Sequence, residues 1–275
     1  MEFPGIDPVA FQIGPVAVRW YGIAFAATFA FSWWYVRQLL SRPRLWATGF
    51  EPGLSEKLDD LLIYIVIGVI LGGRLGHILL YQPAYYFASP LQIFAVWEGG
   101  MSFHGGLIGT VIAILIFAWR NGVEKWVIGD LVAACSPMGI LLVRSANFVN
   151  GEIVGSPSDL PWAIVFPGYA EARHPANLYE AGLEGALLFA IVAFFIFRYR
   201  SLRFPGLTAG IFLIGYSIAR IYVETFKFAE HRMLWADAPF TKGMAYSVPM
   251  LLVGLWLVYT RWQTARSADE TQTTG

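Results

Sequence analysis

The sequence predicts an all-α integral membrane protein with seven transmembrane helices, the N-terminus outside, the C-terminus cytoplasmic and a small extracytoplasmic loop region. Two observations lead there. Of 275 residues, 57% are hydrophobic and only 14% charged, with a mean hydropathy of +0.55, whereas soluble domains carry about 25% charged residues. Apolar runs long enough to cross about 30 Å of hydrocarbon recur at about 18–37, 60–80, 103–119, 127–147, 180–198, 206–225 and 245–261. The formal net charge is zero, which leaves no global field to attract nucleic acid.

The separators between the runs carry helix stops and turn signals. They include Arg42-Pro43, Pro52-Gly53, Gln82-Pro83, Asn121-Gly122, the stretch 155–161, Pro205-Gly206 and the polar stretch 227–243. Residues 1–263 read as a single polytopic membrane domain and 264–275 as a polar, disordered cytoplasmic tail. The N-terminus carries Glu2 and Asp7 where a signal peptide would carry lysine or arginine, so it does not read as a removable targeting segment.

Orientation follows from loop charge. Connections around 37–57, 120–125, 198–203 and 261–266 hold eleven Lys or Arg, against four in the alternate set, Arg173, Lys227, Arg232 and Lys242. The first set is cytoplasmic. The 82–102 connection, with Tyr85, Tyr86, Phe87 and Trp97, then lies outside as an interfacial aromatic belt.

The single cysteine, Cys135, lies in an apolar run beside Ala133 and Ala134 and reads as packing; a reactive thiol needs an electropositive, accessible setting. Gly68, Gly72 and Gly76 in the second span and Gly105, Gly106 and Gly109 in the third let helix backbones approach closely, most simply as helix packing.

Four arginines belong to no loop: Arg19, Arg74, Arg144 and Arg220. A charge inside a span costs a few kcal/mol, so such residues face an interior and mark function. At a rise of about 1.5 Å per residue, Arg74 and Arg220 lie roughly 22 Å, and Arg144 roughly 27 Å, from the cytoplasmic ends of their helices. Tyr21 and His104 open helices that start outside, and His174, Tyr179 and Glu180 lead into the fifth. The polar groups therefore gather in the outer leaflet.

Spacing sorts them further. Tyr216, Arg220 and Glu224 are four apart and share a face, either as a structural ion pair or as part of a site. Arg144 and Asn147 share a face too, with Asn150 and Glu152 following. Two arginines beside two carboxamides, without a matching set of carboxylates, make a donor-rich cavity suited to a phosphate, which guanidinium binds bidentately. In that leaflet a phosphate means a phospholipid headgroup. His104 sits in WEGGMSFHGG among glycines, and its neutral ring can accept a proton near pH 7. His77 and His231 read as structural or surface residues. No metal-type spacing is present, so neither a metal nor another cofactor is expected.

RWYG at 19–22, GGRLGH at 72–77, WEGGMSFHGG at 97–106, RSANFVNGE at 144–152, RHPANLYE at 173–180 and the Tyr216/Arg220/Glu224 face together resemble the phosphatidylglycerol–prolipoprotein diacylglyceryl transferase family, in order along residues 16–260. The resemblance implies a bacterial plasma-membrane enzyme acting on phosphatidylglycerol and a prolipoprotein. It also implies functional roles for Tyr21, His104, Arg144, Asn147, Glu152, Gly155, Tyr216, Arg220 and Glu224; in the displacement this asks for, Glu152 and Glu224 are expected to aim the arginines. The chain departs from the family pattern at Val143, Ala146 and Met244 and in the segment after Glu224. A transporter of an organic anion or lipid is the alternative; it would show internal repeats or charges spread through the membrane depth. Ser102 near His104 raises a protease reading, but only two positions apart on one chain they make a poor nucleophile and base pair.

Overall fold

The computed structural model describes residues 1–47, 53–95, 99–227 and 240–273. The segment around His231 and Arg232, and Trp97 of the aromatic connection, lie outside the described residues. Among the described residues six helices are long and apolar enough to cross a membrane, and the protein is an all-α membrane protein. The chain packs as two compact units, Met1–Phe50 with Gly129–Gly275, and Glu51–Ile128.

The first unit opens with an antiparallel hairpin, β1 (Val9–Ile13) and β2 (Val16–Arg19), with Ile13 opposite Val16 and Val9 opposite Arg19. Gly14 supplies the positive φ of +58° that the tight turn needs. Arg19 ends the hairpin and stands just before α1 (Trp20–Leu40), whose first amide bonds back to the Pro8 carbonyl at 3.1 Å. With 21 residues α1 is long enough to span. It is not among the six spans, being rich in Trp and Tyr, which favour the interface.

The unit continues with α5 (Lys125–Val149), α6 (Ala176–Tyr199), α7 (Leu207–Glu224) and α8 (Lys242–Thr273). Helix α8 runs through the polar stretch from Thr264 to Thr273, where the sequence reading expects a disordered tail. Leu131, Ala134, Leu188, Val192, Ile196, Val223 and Leu257 are buried. An aromatic cluster of Phe31, Tyr35 and Phe189 joins α1 to α6, with Phe189 edge-on to Phe31. Asp130 fixes the start of α7: its carboxylate accepts the Gly206 and Ala209 amides, both at 2.7 Å, giving the helix N-terminus a fully buried cap. Within α6, Ala181–Leu187 winds as a π-helix, a wider turn often found at functional sites.

Between α5 and α6 the chain forms a small irregular layer. The Met1 ammonium donates to the Ala163 carbonyl at 2.5 Å, the Val165 amide donates to the Met1 carbonyl, and Phe3 packs on Phe148 and Phe166.

In the second unit, α2 (Leu58–Leu80) lies along α4 (Phe103–Asn121). The predicted glycines meet: a β-carbon on Gly76 would fall 2.7 Å from Gly105 Cα, and one on Gly72 would fall 2.7 Å from Gly109 Cα. The connection contains α3 (Pro83–Ala88) and a 3₁₀ segment, Pro90–Phe94, with Phe87 and Phe94 exposed.

Candidate active site

Helices α5, α6 and α7 bring three cations onto three carboxylates. On α6, Glu180 is fully buried. It pairs with Arg144 Nε of α5 at 3.1 Å, with Arg220 Nη1 of α7, and with Lys227 Nζ at 2.5 Å. Glu224 binds Arg220 Nη2 at 2.8 Å and Lys227 at 3.2 Å, and also bonds with Thr241. Glu184 lies 3.6 Å from Arg220 Nη1. Tyr216, one turn before Arg220, stacks on Phe212 and lies within electrostatic reach of Glu184, Arg220 and Arg144.

This arrangement corrects two expectations. The arginines do have a matching set of carboxylates, because Glu180 and Glu184 stand one turn apart on the helix facing them. Their buried charges are affordable only as a set: an unpaired ion in such a place costs several kcal/mol, whereas a paired and hydrogen-bonded one need not. Glu152 reaches Arg144 through Asn147, whereas Glu180 pairs with it directly. Arg144 Nη1 also donates to Asn147 Oδ1 at 3.3 Å.

Exposure divides the cluster. The side chains of Glu180, Glu184 and Glu224 are 0–2% exposed, while those of Arg144 and Arg220 keep 24% and 18%. The carboxylates are closed off from solvent, and the two arginine side chains are the part of the cluster left partly open.

The C-terminal end of α5 is held by carboxamides. Glu152, exposed, accepts Asn147 Nδ2 at 3.3 Å and Asn150 Nδ2 at 2.9 Å. Buried Asn177 donates to the Glu152 carbonyl at 2.9 Å, tying the start of α6 to the same loop. Tyr21 lies within electrostatic reach of Glu152 and Arg144. Tyr21, Arg144, Asn147, Asn150, Glu152, Tyr216, Arg220 and Glu224 thus belong to one unit; Arg144, Asn147, Asn150 and Glu152 form one bonded group, Arg220 and Glu224 another, and Glu180 joins the two.

Gly155 acts through its missing side chain. A β-carbon there would meet the Phe226 carbonyl at 2.5 Å and His174 Cβ at 2.7 Å. The bare backbone pairs with Lys227 on one side, and its amide donates to the His174 carbonyl at 2.9 Å on the other. Gly155 therefore sets where Lys227 begins its reach toward Glu180. Beside it, the Tyr179 hydroxyl lies 3.2 Å from His174 Nδ1 and accepts Trp162 Nε1 at 2.8 Å. Partial burial lowers the His174 pKa from its ordinary 6.5, because the charged ring loses hydration.

His104 belongs to the second unit, exposed on the first turn of α4 with its ring edge-on to Phe103. Ser102 is buried and caps α4 by accepting the Gly105 amide at 3.2 Å, which accounts for the serine without a nucleophile. Arg74 is committed to structure: it donates to the carbonyls of Gln92, Ile93, Gly99 and Gly100 at 2.5–3.3 Å and lies over the Tyr86 ring. It staples the connecting segment and offers no clamp for a ligand. Cys135 is buried with its thiol donating to the Val132 carbonyl.

Fold and site together define a polytopic membrane protein with a charge-balanced polar centre set among its helices. Residues 8–260 match the prolipoprotein diacylglyceryl transferase family, and the chain belongs to that family of transferases. It is similar to the protein named phosphatidylglycerol–prolipoprotein diacylglyceryl transferase of Agrobacterium fabrum, 46% identical over 270 residues that cover 98% of this chain and 96% of the relative. Proteins of the same name from Brucella anthropi and Rhizobium meliloti are each 46% identical over 270 residues, with 98% of this chain covered and 95% and 96% of the relatives.

Proposed function

We propose that this enzyme transfers the diacylglyceryl group of phosphatidylglycerol to the cysteine thiol in the lipobox of a prolipoprotein. A sulfur–carbon bond forms at the glycerol carbon, the carbon–oxygen bond to phosphate breaks, and glycerol phosphate leaves. No cofactor is needed for this displacement. The observation that carries the reading is the division of exposure: buried carboxylates hold Arg144 and Arg220, whose side chains stay partly accessible, an arrangement suited to a phosphodiester.

In this reading Arg144 and Arg220 hold the phosphate and stabilise the charge that grows on it as the ester bond breaks. Tyr21, Asn147, Asn150, Glu152 and Tyr216 orient the headgroup, Glu224 aims Arg220, and Gly155 sets the backbone beside Lys227. A thiol with an ordinary pKa near 8.5 is only a few per cent thiolate at neutral pH. His104 is assigned to accept or orient its proton. The loop charges support seven spans with α1 as the first, the N-terminus outside, one polytopic membrane domain over 1–263 and a cytoplasmic tail. The enzyme then works in the bacterial plasma (inner) membrane, with its site toward the outer leaflet.

The test is replacement. Arg144→Ala and Arg220→Ala are each expected to abolish lipid transfer in protein that still folds and inserts. Near-parental turnover from either would remove the phosphate clamp.

A further inference from the structure

Among the charged groups of the cluster, Glu184 is held least. It is completely buried, and neither carboxylate oxygen has a hydrogen-bond partner among the described residues. Its nearest cation is Arg220 Nη1 at 3.6 Å, beyond hydrogen-bond range. Glu180 and Glu224, by contrast, are each tied directly to two or more partners. Its place is built deliberately, on the π-helical turn of α6 and next to Gly185, where a β-carbon would fall 2.8 Å from Leu141 of α5.

The charges that face Glu184 are Glu180 from its own helix, Arg144 from α5, Arg220 from α7, and Glu224 and Lys227 at and beyond the end of α7, with the neutral Tyr216 hydroxyl beside them. With all three carboxylates ionised, the three cations and three anions sum to zero. A phosphodiester brings one further negative charge, and a net buried charge is costly. Two remedies exist: expelling a carboxylate from its cation, or adding a proton. Glu184 can take a proton without giving up a single hydrogen bond, so it bears the least loss.

We infer that Glu184 is the charge-compensating residue of this site: it takes up one proton as the anionic headgroup binds, and gives it back when the headgroup leaves. The inference rests on the phosphate-binding reading above. It makes Glu184 a positioning residue, keeping Arg220 neutralised when the site is empty and releasing it to the phosphate when the site is full. Headgroup affinity therefore rises as pH falls, since binding and proton uptake are linked.

The experiment measures binding of short-chain phosphatidylglycerol to the full-length protein in non-ionic detergent, without acceptor peptide, between about pH 6 and pH 9. For the parent, Kd weakens with rising pH by up to about tenfold per unit, the limit for one linked proton. Glu184→Gln, which holds a neutral side chain of the same shape, is expected to flatten that dependence and to bind at least as tightly at the alkaline end. An unchanged slope in Glu184→Gln overturns the proposal. If that variant does not fold, calorimetry on the parent in buffers of different ionisation heat counts the protons directly: one per headgroup supports the proposal and none overturns it. Arg220→Ala serves as the separate control. If it binds phosphatidylglycerol as the parent does, the phosphate-binding reading fails; if it loses binding while the slope persists in Glu184→Gln, only the role of Glu184 fails.

Discussion

Glu180→Gln removes one charge from the centre of the cluster and leaves its shape in place. In the parent, Glu180 is fully buried and serves Arg144, Arg220 and Lys227 at once. The loss is smaller than three broken ion pairs, because Glu224 still holds Arg220 at 2.8 Å and Lys227 at 3.2 Å. Arg144 keeps only Asn147 Oδ1, at 3.3 Å. Breaking one buried pair costs about 3–5 kcal/mol, and the 24% exposure of Arg144 places this case toward the lower end. At about 2–4 °C per kcal/mol for a chain of this size, Tm falls by about 10 °C. The assay is thermal unfolding of the detergent-purified protein, with and without phosphatidylglycerol. The variant cluster carries one net positive charge, so the anionic lipid is expected to raise its Tm more than that of the parent. A variant that melts within about 2 °C of the parent would show that Glu180 is worth no more than a surface pair and refute the charge-balance argument.

Asp130→Ala strips the cap from α7 and is expected to cost about 1–2 kcal/mol, seen as a lower Tm with transfer activity retained by the folded fraction. Gly155→Val drives a side chain into the Phe226 carbonyl and His174, so it should lower both stability and turnover, with circular dichroism and a transfer assay reading the two losses. The depressed pKa of His174 means that the folded state binds fewer protons there than the unfolded chain below pH 6.5. Its contribution is complete above that pH and is lost on acidification, and His174→Gln should flatten that part of the stability profile. His104→Gln is expected to cut turnover near neutral pH; substantial activity across that range would leave His104 a positioning role.

Much of the fold was legible because the bilayer imposes long apolar runs and sharp polar boundaries. The pairs Arg144/Asn147 and Arg220/Glu224 stood out through the cost of charge in a span together with helical spacing, and the glycine faces of α2 and α4 through their four-residue period. Glu180 and Glu184 were the main omission from the site. Glu180 reads as a lead-in at the mouth of an apolar run and Glu184, inside that run, is not singled out, yet Glu-xxx-Glu one turn apart inside a span is the available signal for partners of the arginines. Lys227 was read as loop charge; only the backbone pairing with Gly155 turns it inward, and that contact joins residues 72 positions apart. By helical rise Arg74 reads at the depth of Arg220, yet it gives its donors to carbonyls whose positions no periodicity encodes. The hairpin 9–19 carried its own signal, β-branched residues on either side of Gly14-Pro15, masked by the apolar run that follows.

The central claim is that this cluster handles a lipid phosphate so that a thiol can take the diacylglyceryl group. Incubating the purified protein with phosphatidylglycerol and a lipobox peptide, and weighing the peptide by mass spectrometry, tests it most directly. The peptide is expected to become heavier by one diacylglyceryl group, thioether-linked, with glycerol phosphate released in equal amount, and to stay unmodified with Arg220→Ala. An unmodified peptide with the parent protein, or equal product from Arg220→Ala, would contradict it.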